Sequence, residues 1–122
     1  MTRVLIVDDD PTVLRLLEVN FRLDGFETLT AATGEQALGV ARTGRPDAIV
    51  LDVMMPGMDG HQVFEALRDD PATAGIAVVF LTGRAAPEEA ARYVSEGVDY
   101  LMKAVDPAEV VALVRRRTEG EP

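Results

Sequence analysis

Short apolar runs alternate with stretches of helical periodicity along the whole chain. The runs are Val4–Val7, Ala48–Leu51, Ala77–Leu81 and Tyr100–Met102, with a more polar one at Glu27–Ala31. Between them, apolar residues recur three and four positions apart. Val13, Leu14, Leu17 and Phe21 form one such set, Val63, Phe64 and Leu67 a second, and Val110, Leu113 and Val114 a third. That spacing lines one face of a helix. Helix starts are marked as well. Asp10-Pro11 reads as an N-cap followed by proline at the first helical position, and Thr33 with Gln36, Asp59 with Gln62, and Asp106-Pro107 with Glu109 fit capping-box spacing. Gly25, Gly44 and Gly97 stand where helices should stop. Five strands alternating with about five helices predict an α/β fold with a parallel sheet covered on both faces. Unbroken rather than alternating apolar runs agree with two-sided burial, and the polar Glu27–Ala31 segment suits an edge strand.

Composition narrows this picture. The 122 residues, 48% of them hydrophobic, fit one compact domain with a real core. Residues 1–118 are expected to form it, with a short loose tail at 119–122. A net charge of −9 disfavours nucleic acid or an anionic membrane as the main partner. The sequence has no cysteine, which removes disulfides and thiolate metal sites and fits a cytoplasmic setting. The first apolar run is too short for a signal peptide, and nothing approaches the roughly 20 apolar residues of a membrane helix.

Candidate chemistry collects at the ends of the runs. Val4–Val7 leads into Asp8 and Asp9, Ala48–Leu51 into Asp52, Ala77–Leu81 into Thr82, and Tyr100–Met102 into Lys103. In an open parallel sheet these ends share one edge, where ligands bind. An isolated aspartate after a strand is most often a helix cap. Here Asp10 and Asp59 take the capping roles, leaving Asp8, Asp9 and Asp52 without them. Three clustered carboxylates repel one another and raise one another's pKa, and a divalent cation relieves this. With oxygen donors and no suitably placed histidine, the expected cofactor is Mg²⁺. The single histidine, His61, reads as a solvated surface residue on a helix beyond the loop.

With Val7-Asp8-Asp9-Asp10-Pro11, Leu51-Asp52-Val53-Met54-Met55-Pro56-Gly57-Met58-Asp59-Gly60, Phe80-Leu81-Thr82-Gly83 and Tyr100-Leu101-Met102-Lys103, the chain resembles, over nearly its full length, the receiver domain of two-component response regulators, the family of the bacterial chemotaxis regulator. The resemblance implies a flavodoxin-like, doubly wound (βα)5 fold with strand order 2-1-3-4-5 in three αβα layers. It implies that Asp52 is the phosphoacceptor, charged by a sensor histidine kinase or histidine phosphotransfer protein. Asp9 would bind Mg²⁺ directly, Asp8 through water, and the Met54 backbone carbonyl would complete the protein ligands. Thr82 and Lys103 would hold phosphoryl oxygens. Moving Thr82 would open space for the switch residue Tyr100 to turn inward. The domain would then be a stoichiometric phosphoacceptor rather than an enzyme, acting through an unidentified protein target, with a homodimer through the last helix and strand as a further expectation.

Two positions depart from the family pattern. Ala104 follows Lys103 where the family has proline in a cis bond. A cis bond before a non-proline residue costs roughly 2.5–4 kcal/mol, so a trans peptide is expected. The Glu96–Tyr100 turn also looks one residue short. Glu88, Glu89 and Arg92 read as a solvated helix face, Arg115-Arg116-Arg117 as cations complementing a helix dipole, and Met54, Met55 and Met58 as packing and loop residues. The rival enzyme reading is a haloacid-dehalogenase-like phosphohydrolase with Asp8 as nucleophile, since Asp8-Asp9-Asp10-Pro11-Thr12 fits D-x-D-x-[TV]; it leaves Leu51–Gly60 unexplained. A flavodoxin-type cofactor carrier is disfavoured, because Asp8-Asp9-Asp10 would repel a flavin phosphate.

Overall fold

The computed structural model describes residues 1–83 and 87–119. Strands and helices alternate: β1 (Arg3–Val7), α1 (Pro11–Leu23), β2 (Glu27–Ala31), α2 (Gly34–Gly44), β3 (Ala48–Asp52), α3 (Gly60–Asp69), β4 (Ala77–Thr82), α4 (Pro87–Ser95), β5 (Asp99–Met102) and α5 (Pro107–Glu119). All strand pairs are parallel, in the order β2-β1-β3-β4-β5. The flavodoxin-like topology is therefore as expected, with Glu27–Ala31 on an edge.

Alternate side chains of the central strands enter two separate cores, because successive residues of a strand point to opposite faces. Val4, Ile6, Val50, Val79 and Leu81 pack under α1 and α5 against Leu17, Phe21, Val110 and Val114. Leu5, Val7, Ile49, Leu51 and Phe80 pack under α2, α3 and α4 against Ala37, Val63, Leu67 and Tyr93. At roughly 1.5–3 kcal/mol per fully buried aliphatic side chain, this two-sided burial is what holds the strand ends rigid enough to carry a site.

The caps form largely as their spacing predicts. The Asp10 carboxylate accepts from Thr12 N at 2.9 Å, and Asp59 and Gln62 make a reciprocal capping box. At Thr33 the box is altered: Thr33 accepts from Gln36 N, while Gln36 Oε1 reaches Ala32 N at 2.8 Å instead of the cap's own amide.

Two boundaries differ from expectation. Gly44 is the last helical residue of α2, and the left-handed turn falls on Arg45, with φ 48°. Gly44 serves packing instead: a β-carbon there would lie 2.6 Å from Leu29 Cδ1, so its bare backbone lets α2 close onto β2. At the other end, α5 continues through Thr118 and Glu119. Thr118 Oγ1 donates to Val114 O at 2.8 Å, and Glu119 accepts from Thr2 Oγ1 at 3.2 Å. Residues 120–122 of the expected tail lie outside the described residues.

Candidate functional site

Register brings the chemistry together. Val7 pairs with Leu51, Asp52 with Leu81, and Thr82 with Met102, so Asp8, Asp52, Thr82 and Lys103 emerge within one residue of a common sheet edge. The Lys103 amide donates to Thr82 O at 2.6 Å, extending the β4–β5 ladder by one bond. The Lys103–Ala104 peptide is trans, as expected.

From that position Lys103 Nζ lies 2.9 Å from Asp8 Oδ2 and 3.4 Å from Asp52 Oδ1. Both carboxylates are buried, at 2% and 1% exposure. Asp8 Oδ1 accepts from Asp10 N at 2.9 Å, and Asp52 Oδ1 accepts from Met54 N at 3.3 Å. Asp52 Oδ2 is buried and makes no hydrogen bond within the protein. Burial first, and then the Asp8 charge, push the Asp52 carboxyl up to about 6; Lys103 and the Met54 amide pull it back only in part. At Lys103 burial works against the charge, but the hydrogen bond it donates to Asp8 and the charges of Asp52 and Asp8 outweigh it, leaving the ammonium above its ordinary value.

Carboxylate oxygens of Asp8, Asp9 and Asp52 lie within 4.8 Å of one another. One member of this set is exposed and two are buried. An all-oxygen donor set with an unpartnered buried oxygen on Asp52 suits a hard divalent cation such as Mg²⁺, and it offers nothing to a metal that prefers nitrogen or sulfur.

Close approach fixes the loop behind the site. Gly60 N donates to Val53 O at 3.0 Å, and a β-carbon on Gly60 would sit 2.3 Å from Asp52 O. Only glycine lets α3 start against the end of β3. Met55 is buried in the core, Met58 packs partly against it, and Met54 is exposed, in line with packing and loop roles.

A family model described as the response regulator receiver domain matches residues 4–115. The chain belongs to the response regulator receiver domain family. Among curated relatives, this receiver domain is 41% identical to the DNA-binding response regulator MtrA of Mycolicibacterium smegmatis, across 98% of this chain and 53% of that protein. It is 41% identical to the response regulator PleD of Caulobacter vibrioides, across 95% of this chain and 26% of PleD. The chain therefore spans about half of one relative and a quarter of the other. Among solved structures, the chemotaxis protein CheY4 of Vibrio cholerae superposes with a TM-score of 0.86 at 29% identity, covering 95% of this chain and 98% of that one. The receiver domain of Francisella response regulator 1452 gives 0.88 at 28% identity, covering 98% of each. The family match over residues 4–115 and these receiver folds favour the two-component reading over the hydrolase.

Several surface readings need correction. His61 is half-buried: its ring stacks on Tyr93 at 4.9 Å and meets the edge of Phe80 at 5.3 Å. Its Nε2 lies 3.2 Å from the Tyr100 hydroxyl and 3.7 Å from Glu89 Oε2. Glu89 is thus an anchor as well as part of an exposed face, and Arg92 lies over the Tyr93 ring while pairing with Glu65. The expected switch residue Tyr100 is half-buried, its ring 5.3 Å from that of Phe80. Burial, then Glu89, push its hydroxyl up to about 12. Arg115 and Arg117 are tertiary ties: Arg115 grips Asp24 at 2.8 Å and covers Phe26, while Arg117 forks onto Asp99 at 2.6 and 2.9 Å. The only forewarning of His61's role is its place beside the Asp59-Gly60 cap. Periodicity could not tell which way its ring would face.

Proposed function

We propose that this receiver domain takes a phosphoryl group on Asp52 from a histidine kinase or histidine phosphotransfer protein, in a Mg²⁺-dependent reaction, and that this changes what its α4–β5–α5 face binds. The observation that carries the reading is Asp52 Oδ2, a buried nucleophile oxygen without a partner in the protein, next to a lysine that already spans Asp8 and Asp52.

Asp8, Asp9, Asp52 and the Met54 carbonyl would hold the metal, which would supply charge neutralisation for the incoming group. The chain's own residues do the rest. Asp52 forms the new O–P bond as the P–N bond to the donor imidazole breaks. Lys103 is tethered by its backbone bond to Thr82 and follows the negative charge from the carboxylates to the phosphoryl oxygens. The Thr82 hydroxyl, buried at 2% exposure on the same edge, would donate to a phosphoryl oxygen once that group is in place. That new bond biases an existing equilibrium between arrangements of Tyr100 and α4 rather than creating one. Among the described residues no helix is long and apolar enough to cross a membrane, which agrees with a cytoplasmic switch. The output target is a protein or a second copy of the chain.

The test is intact-mass analysis after treatment with a small phosphodonor. The expected result is one added phosphoryl group, dependent on Mg²⁺, lost in Asp52→Asn and retained in Asp8→Asn at a reduced rate. Labelling lost only in Asp8→Asn, with many turnovers by the parent, would restore the hydrolase.

A further inference from the structure

Among the helices, α4 has the thinnest anchorage: Tyr93 is its one buried side chain among the described residues. That side chain lies on the imidazole of His61, ring centroids 4.9 Å apart and planes 15° from parallel. The same imidazole has its Nε2 3.2 Å from the Tyr100 hydroxyl on β5 and 3.7 Å from Glu89 Oε2 on α4. The hydroxyl in turn donates to Glu89 Oε2 at 3.5 Å, the outer limit of a hydrogen bond. One ring from α3 therefore touches α4 at two places and β5 at a third. Phe64 of α3 also meets Tyr93 edge-on at 5.3 Å, an apolar contact that involves neither Tyr100 nor Glu89, and the Glu65–Arg92 pair at 3.3 Å has both side chains more than half exposed, where ion pairs hold little.

We infer that His61 is a positioning residue for the output face: its imidazole latches Tyr100 and α4 to the start of α3 in the unphosphorylated chain. The chemistry requires an imidazole rather than any flat or branched apolar group. A leucine or phenylalanine would pack against Tyr93, but it would leave the half-buried Tyr100 hydroxyl with only the long contact to Glu89. The position matters as much. His61 is the chain neighbour of Gly60, whose amide bonds Val53 O and whose α-carbon rests against the Asp52 carbonyl. A shift at the end of β3 is therefore delivered through α3 to the imidazole, and from it to Tyr93, Glu89 and Tyr100. This is a second route beside Thr82 from the acidic pocket to the α4–β5 face. It rests on the proposed phosphoacceptor only for the signal it would carry; the latch itself belongs to the metal-free, unmodified protein.

The sequence holds one histidine and two tyrosines, and both tyrosines touch that histidine, so spectra report on this cluster without ambiguity. The first measurement is the imidazole nitrogen spectrum of the parent and of Tyr100→Phe, without Mg²⁺ or phosphodonor. The Nε2 resonance should move by several ppm when the hydroxyl is removed; an unchanged resonance overturns the inference. The second is amide hydrogen exchange in the parent and in His61→Phe, which keeps a stacked ring but loses the hydrogen bond. Exchange in α4 and at Tyr100 should quicken about tenfold, with β1 and β3 unaffected. Exchange in His61→Phe identical to the parent would reduce His61 to packing and overturn the latch. His61→Gln, which can still hydrogen-bond Tyr100, should recover part of the protection at Tyr100, and no recovery counts against the latch. Neither arm uses phosphate, so failure of the Asp52 reading would leave these results unchanged.

Discussion

Burial and the neighbouring Asp8 charge raise the Asp52 carboxyl from 3.8 to about 6, and this has a defined consequence for stability. An acid whose folded pKa is raised adds stability below its unfolded pKa, and that contribution is lost as pH rises through the folded value. In chelator, the parent should therefore lose stability relative to Asp52→Asn between about pH 4 and pH 6. The gap should reach on the order of 3 kcal/mol above that window. Urea melts of both proteins at pH 4.5 and pH 7.5 check this, and a gap independent of pH would contradict it. Lys103 opposes the same repulsion. Lys103→Met should destabilise the metal-free protein by roughly 1–3 kcal/mol at neutral pH, because it leaves Asp8 and Asp52 buried without a cation. Millimolar Mg²⁺ should shrink that loss. At Gly60 the constraint is steric: Gly60→Ala puts a β-carbon 2.3 Å from Asp52 O. It should cost roughly 1–3 kcal/mol by overpacking, measured by thermal melts, and should displace the Asp52 backbone.

Elements differ in how firmly they are held. α1 buries Leu17 and Phe21, starts on an Asp10 cap and is tied at its end by Arg115 to Asp24. α4 buries Tyr93 alone, against the rings of His61, Phe64 and Phe80, and its charged side chains are exposed. Local opening follows buried contact and protected hydrogen bonds, so amide exchange in α4 should be faster than in α1 under native conditions. Equal protection would mean that α4 has support these contacts do not reveal. Asp10→Ala should cost about 1 kcal/mol through loss of the cap, read from the midpoint of denaturant unfolding. The exchange of roles at the end of α2 has a similar local logic. Gly44 is needed where Leu29 leaves no room for a β-carbon, and the left-handed turn passes to Arg45.

For the molecule as a whole, the five strand ends converge on one edge and concentrate acids that a chain of net charge −9 has no surplus of cations to neutralise. A ligand that binds only the folded state stabilises it by mass action. Thermal midpoints should thus rise with Mg²⁺, approaching about 1.4 kcal/mol for each tenfold excess over the dissociation constant. The response should be flattened in Asp9→Asn and Asp52→Asn. A melting point indifferent to Mg²⁺ across the millimolar range would remove the metal from the mechanism.

Much of this was legible in the residues. Apolar runs, helical spacing and caps act over a few positions, so strands, helices and their order followed from local chemistry, and parallel pairing put Asp8, Asp52, Thr82 and Lys103 on a common edge. The choices that depend on distance in space were not legible. Lys103 bridging Asp8 and Asp52, the burial that does most to raise the Asp52 carboxyl, Arg117 reaching Asp99, and His61 turned inward onto Tyr93 and Tyr100 are all settled by which surfaces close over which. Periodicity names the face a residue shares with its neighbours in sequence; only packing sets the partner across the gap and the dielectric around it, and with them the charge state and orientation of each group.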